Sequence, residues 1–296
     1  IGMRVRAKCN ESGLNHYMGI AISAFIATML AWASTLLPAE WTSTPWHPLL
    51  ACALFIVPGV PLINFVDDML DNYIQVGIVR AVNTLLMVSA MAFGIAFAVK
   101  LCSIGDFFPT ISMVPHHNYL EYAIAAAISA MGFSMIFNIQ RRLLWVVAIG
   151  GIIAVCTRNF VNLGPSTNNI GLDMGLVIGS FSGSVLVSLI AIKAVHWFHV
   201  PNHVLTIPSV IPMIPGVLMY RMLFGLINMN VQSIDQVTPL MKAIESGVNS
   251  GLVIMCIALG VAIPNIFGRK YIASSKNKRL AEILKERKAR GKFVEW

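Results

Sequence analysis

Residues 58–60 read Pro-Gly-Val inside one apolar stretch, and residues 215–217 read Pro-Gly-Val inside another. Proline removes a backbone donor and glycine loosens a helix. Each stretch is therefore expected to be a membrane helix broken near its middle. Polar residues follow both breaks: Asn64, Asp67 and Asp68 after the first, Tyr220 and Arg221 after the second. Interrupted apolar helices at corresponding places in two halves of a chain point to a binding site at the membrane midplane.

The reading requires a membrane, and composition supplies one. The chain is 57% hydrophobic and 11% charged, with mean hydropathy +0.75. A soluble domain carries roughly 25% charged residues, so this is an all-α integral membrane protein. The formal charge is +8. Residues 269–296 hold ten Lys/Arg against Glu282, Glu286 and Glu295, so most of that excess lies in one basic tail. The tail reads as a cytoplasmic anchor beside anionic membrane lipid. It has no recognisable nucleic-acid-binding fold.

About 20 mostly apolar residues cross a bilayer, and eight segments qualify: 15–37, 47–66, 76–102, 119–138, 142–163, 171–197, 203–227 and 245–267. Charge sets the orientation. Arg4, Arg6 and Lys8 precede the first span, Arg141 and Arg142 separate the fourth from the fifth, and Lys193 closes the sixth. With both ends of the chain in the cytoplasm, all of these lie inside. Loops 38–46 and 103–118 carry no Lys/Arg and fall outside, the first with Trp41 and Trp46; Arg158 and Lys242 depart from the rule.

Spacing argues for duplication. Gly13-Leu14-Asn15 and Gly171-Leu172-Asp173 are offset by 158 residues, and the Pro-Gly-Val motifs by 157. Ala92-x-Gly94-x-Ala96 matches Ala258-x-Gly260-x-Ala262 at an offset of 166. The first and sixth spans would run in opposite directions, which makes the repeats inverted. Residues 1–105 are then the last three spans of one repeat, 119–268 a five-span repeat, and 269–296 the tail. Two further spans are expected before Ile1.

Other motifs weigh less. Gly171, Gly175, Gly179 and Gly183 recur every four residues and predict a close helix crossing. His196, His199 and His203 read as interfacial. Ser134, Ser182 and Ser184 lack a paired base for hydrolysis. The five cysteines, Cys9, Cys52, Cys102, Cys156 and Cys256, have no metal spacing and read mostly as small hydrophobes. No metal or cofactor is expected.

Val57-Pro58-Gly59-Val60-Pro61-Leu62-Ile63-Asn64, then Asp67-Asp68 and Gly77-Ile78-Val79-Arg80, resembles the end of the first membrane half of the threonine/serine exporter family. Ile207-Pro208 through Ile211-Pro212-Met213-Ile214-Pro215-Gly216-Val217, with Tyr220-Arg221, resembles its second half. Gly132-Phe133 and Asn138-Ile139-Gln140-Arg141-Arg142 resemble the start of that half. The resemblance implies ten spans in two five-helix repeats, often behind an N-terminal cytoplasmic domain. Some members split the halves into two proteins, and one such pair is linked to succinate export.

The residues and the resemblance together lead us to expect a proton-coupled secondary exporter in a bacterial inner membrane. Its substrate would be a small carboxylate-bearing metabolite, threonine or serine ahead of a dicarboxylate such as succinate. Arg221 would hold the carboxylate, because a guanidinium inside a span needs a partner or a cavity. Asn64 and Tyr220 would bond the polar groups, with free backbone at Pro58-Gly59 and Pro215-Gly216. Asp67 would carry the proton, its pKa raised by burial. Asp68 and Arg80 are secondary candidates. A homo-oligomer is compatible with this pattern. A passive channel and an intramembrane enzyme are the competing classes.

Overall fold

The computed structural model describes residues 2–33, 59–102, 118–165, 170–198, 200–227 and 237–289. In chain order they form α1 (Gly2–Glu11), α2 (His16–Ala33), α3 (Gly59–Leu70), α4 (Ile74–Leu101) and α5 (Tyr119–Ile136). Then come α6 (Leu144–Asn162), α7 (Leu176–Phe198), α8 (Asn202–Val210), α9 (Gly216–Ile227) and α10 (Val237–Ala289). Short 3₁₀ turns at Arg141–Leu143 and Ile211–Met213 lead into α6 and out of α8. No strand occurs among the described residues.

Short-range chemistry sets several helix ends. Asn15 accepts the Tyr17 N–H through Oδ1 at 2.9 Å, capping α2. α3 and α5 close alike. Tyr73 N–H reaches the Asp68 carbonyl at 2.9 Å, and Ile139 N–H reaches that of Ser134 at 3.0 Å. The residues between, Asn72 and Asn138, take φ of 67° and 54°. Asparagine tolerates the left-handed region, and this closure satisfies carbonyls a helix end would leave bare.

Six described helices are long and apolar enough to cross a membrane: His16–Ala33, Ile74–Leu101, Tyr119–Ile136, Arg141–Asn162, Leu176–Val195 and Leu240–Gly268. The sequence predicts eight spans, and the two not among these six are the Pro-Gly segments. One, 47–66, lies mostly outside the described residues and is not tested by them. The other, 203–227, is divided into α8, a 3₁₀ turn and α9, each too short to span alone. Bulky apolar side chains such as Leu85, Phe93 and Phe97 stand exposed on α4, as a lipid-facing surface requires. α10 continues through the basic stretch as helix as far as Ala289.

The chain packs as two compact units. The first holds α1 to α4, α9 and α10 as far as Met255. Ile20 and Ala24 of α2, Leu62 of α3, Met91 of α4, Met219 of α9 and Ile254 of α10 share its core. At Gly94, a Cβ would stand 2.2 Å from the Ala21 carbonyl oxygen, so α4 and α2 touch backbone to backbone. In lipid, where tails are as apolar as leucine, such close packing is a main source of helix association.

The second unit holds α5 to α8, the 3₁₀ turn at Ile211–Met213 and the rest of α10. Leu143 and Val147 pack there against Ala191, Ala194 and Leu205. α7 approaches α6 closely: a Cβ on Gly179 would meet the Arg158 carbonyl oxygen at 2.6 Å, and one on Gly183 that of Ala154 at 2.5 Å. This corrects the expected four-glycine face. α7 begins only at Leu176, so Gly171 and Gly175 precede it. Gly171 lies against the Leu163 carbonyl instead. Gly175 touches nothing but has φ of 85°, which is its reason to be glycine.

Candidate functional site

Both Pro-Gly-Val motifs place their glycine in a helix: Gly59 in α3 (Gly59–Leu70) and Gly216 in α9 (Gly216–Ile227). Pro58 lies outside the described residues. At the second motif the chain leaves α8 through the 3₁₀ turn. Gly216 N–H then bonds the Ile214 carbonyl at 2.9 Å, and Met219 N–H bonds Pro215 at 3.2 Å. Pro208 sits inside α8, where it cannot donate to the preceding turn. The interruption is therefore a run of broken backbone ending where a new helix starts.

α3 and α9 lie in the same compact unit. Their fourth residues, Leu62 and Met219, are buried in the same core. Their sixth residues, Asn64 and Arg221, are both half-buried. Tyr220 belongs to α9, with its side chain outside the described ones. Asp67 is half-buried on α3, and neither it nor Arg221 is an isolated charge.

The two secondary candidates meet directly. Asp68 Oδ2 stands 2.6 Å from Arg80 Nη1, tying α3 to α4. The contact is an ion pair off the line of a directed hydrogen bond. That carboxylate oxygen is buried and accepts no hydrogen bond among the described residues. The Arg80 side chain is 40% exposed, so the pair adds at most about 1 kcal/mol to stability. Its electrostatic effect on the site is of more consequence: Arg80 is already compensated.

One polar contact in this unit was not anticipated from sequence. The Tyr17 hydroxyl of α2 donates to Asn83 Oδ1 of α4 at 2.8 Å. Asn83 lies three residues after Arg80, on the same helix face, and that spacing was the available signal. An open groove of about 470 Å³ runs past Gln75, Val76, Val79, Arg80 and Asn83. Met87 and Met91 continue α4 into the core beside Leu62 and Met219. This face of α4 thus changes from polar to apolar along its length.

The serines weighed for hydrolysis are occupied locally. Ser134 Oγ donates to the Ala130 carbonyl, Ser182 Oγ to Ile178, and Ser184 Oγ to Ser180 and Phe181. Of the histidines, the His196 side chain and all of His199 fall outside the description, and His203 is exposed.

The repeat expected from spacing has a packing counterpart. Gly94 of α4 meets the Ala21 carbonyl of α2 in one unit, and Gly260 of α10 meets the Phe181 carbonyl and the Ser184 hydroxyl of α7 in the other. The flanking Ala92, Ala96, Ala258 and Ala262 are all buried. Both motifs therefore sit at close helix crossings.

Two family models match the chain. The model described as "Putative threonine/serine exporter" matches residues 1–102, and that described as "Threonine/Serine exporter, ThrE" matches residues 122–267. No solved structure matches. Together the two models take in both Pro-Gly motifs and both glycine crossings, and the chain belongs to the threonine/serine exporter family of multi-pass membrane proteins.

Proposed function

We propose that this protein is a secondary exporter of small carboxylate-bearing metabolites, threonine or serine above all, working by proton antiport and alternating access. The observation that supports this most is that α3 and α9, each carrying the glycine of a Pro-Gly-Val motif, contribute to one core: Leu62 and Met219, each three residues after that glycine, are buried in the same cluster. Discontinuous helices that contribute to one core are how many transporters form a midplane site.

In this reading Arg221 binds the substrate carboxylate, and Asn64 and Tyr220 bond its polar groups. Backbone released around Pro58-Gly59 and Pro215-Gly216 receives the ammonium group. Asp67 takes up and releases the proton. The ion pair between Asp68 and Arg80 favours an amino acid over succinate, because Arg80 is then not free to serve as a second cation. The repeats are inverted, the protein lies in a bacterial inner membrane, and both ends of this chain face the cytoplasm. Any homo-oligomer would be built from copies each carrying its own site.

Counterflow in proteoliposomes tests the reading. Threonine or serine trapped inside should drive uptake of the labelled amino acid, and an imposed pH gradient should speed it. Succinate counterflow without amino-acid counterflow would reverse the substrate assignment. Flux insensitive to the pH gradient would point to a passive channel. Labelling of cysteines placed at 38–46 from outside, and at 276–292 only from inside, tests the orientation.

A further inference from the structure

The second unit carries a groove that plays no part in the proposed transport site. It has a volume of about 230 Å³ and lies between α6, α7 and α8. Ile149 and Ile153 line it from α6, Val187 and Ala194 from α7, and Leu205 from α8. Its polar floor residue is Ser209, whose hydroxyl donates to Leu205 at 2.8 Å with the Val147 carbonyl at 3.2 Å. That hydroxyl is already used, so the groove is chemically apolar and offers a polar substrate nothing. From Trp145 to Ile153 it follows α6 for about 12 Å.

One end of the groove is different. Trp145, in the first turn of α6, packs edge-on against Phe198, with ring centroids 5.6 Å apart. Trp197 stands exposed beside it, at the end of α7. Tryptophan gathers at the membrane–water interface. Three exposed cations surround the same end: Arg141 and Arg142 in the turn before α6, and Lys193 one turn before Trp197. Arg142 Nε donates to Gln140 Oε1 at 2.7 Å, leaving its Nη groups available. None of the three has a carboxylate partner among the described residues. Glu121 and Asp173 sit at the opposite ends of α5 and α7.

We propose that this groove seats one acyl chain of an anionic phospholipid, whose phosphate is held by Arg141, Arg142 and Lys193. The apolar channel matches the chain, the tryptophans mark headgroup depth, and three cations with no carboxylate partner among the described residues favour an anionic head over a zwitterionic one. Each basic side chain near an anionic surface is worth about fivefold in affinity.

Native mass spectrometry of the full chain with equimolar phosphatidylglycerol and phosphatidylcholine tests this. The wild type should retain phosphatidylglycerol over phosphatidylcholine by about tenfold or more. The triple change Arg141→Gln, Arg142→Gln, Lys193→Gln should bring the ratio within about twofold. Lys193→Gln alone, on an exposed side chain, should lower it several-fold and covers the case in which the triple variant misfolds. Ala194→Phe, which fills the groove, should reduce retention of both lipids. Equal retention by the wild type would overturn the proposal. So would a preference that survives in the triple variant and disappears when Lys/Arg of residues 269–289 are neutralised, which would assign the selectivity to the α10 extension.

Discussion

α3 and α9 carry the same motif with different charges. Counted from the glycine of Pro-Gly-Val, the fourth residue of each, Leu62 and Met219, is buried in one core. At the sixth position α3 has Asn64 and α9 has Arg221. At the ninth and tenth α3 has Asp67 and Asp68, where α9 has Phe224 and Gly225. In the proposed reading the charges are divided between these two helices. A cation that would bind the substrate and a carboxylate that would take the proton could then be tuned separately. Placed on one short helix, they would neutralise each other.

The largest effect should come from the shared scaffold. A Cβ at Gly94 meets backbone at 2.2 Å, whereas at Gly260 the nearest atom is the Ser184 hydroxyl, with backbone at 2.9 Å. Gly94→Ala should cost about 3 kcal/mol or abolish assembly, since backbone cannot move aside. Gly260→Ala should cost less and recover partly with Ser184→Ala. Thermal unfolding of the purified variants measures both. Equal losses would mean that the two crossings are as tight as each other.

The next contrast separates coupling from binding. Asp67→Asn should abolish flux driven by a pH gradient while leaving substrate exchange largely intact. Loss of both in a folded protein would move Asp67 into the substrate site. Arg221→Gln should weaken substrate affinity by about tenfold or more, since a charged hydrogen bond is worth roughly 1.5–3 kcal/mol. Arg221→Lys should restore only part, because an ammonium cannot offer the planar fork. Unchanged affinity in Arg221→Gln would make the arginine a surface anchor.

Smaller effects sharpen the role of the ion pair. Asp68→Asn should change stability by less than about 1 kcal/mol. It releases Arg80, so succinate should compete better against labelled threonine than it does in the wild type. No change in that competition would place Arg80 outside the site. Tyr17→Phe should be the mildest, costing about 1 kcal/mol through the lost bond to Asn83, and thermal unfolding would read it.

Much of this architecture was legible in the chain. Hydrophobic runs of about 20 residues can only be satisfied in lipid as helices. Proline and glycine interrupt a helix, so the broken segment at 203–227 could be placed from sequence. The glycine–alanine motifs at 92–96 and 258–262 read in sequence only as matching segments, and the structure places both at close helix crossings, where small residues let backbones touch in lipid. The Gly171–Gly183 series misled, because periodicity on paper does not say where a helix begins. The left-handed backbone at Gly175 and the contact of Gly171 with Leu163 keep that stretch out of α7.

The sequence alone determined the class of protein, the apolar segments that form the six long helices, the break at Pro215-Gly216 and the polar residues beside it. These follow from local chemistry, namely missing donors, side-chain size and charge. Only the tertiary structure decided which of those residues meet. Asp68 pairs with Arg80 and Tyr17 with Asn83 because α2, α3 and α4 pack at particular rotations. α3 and α9 share a core although 157 residues separate their first glycines. Contacts at such distance depend on how whole helices fit against each other, and no pattern within one segment encodes that.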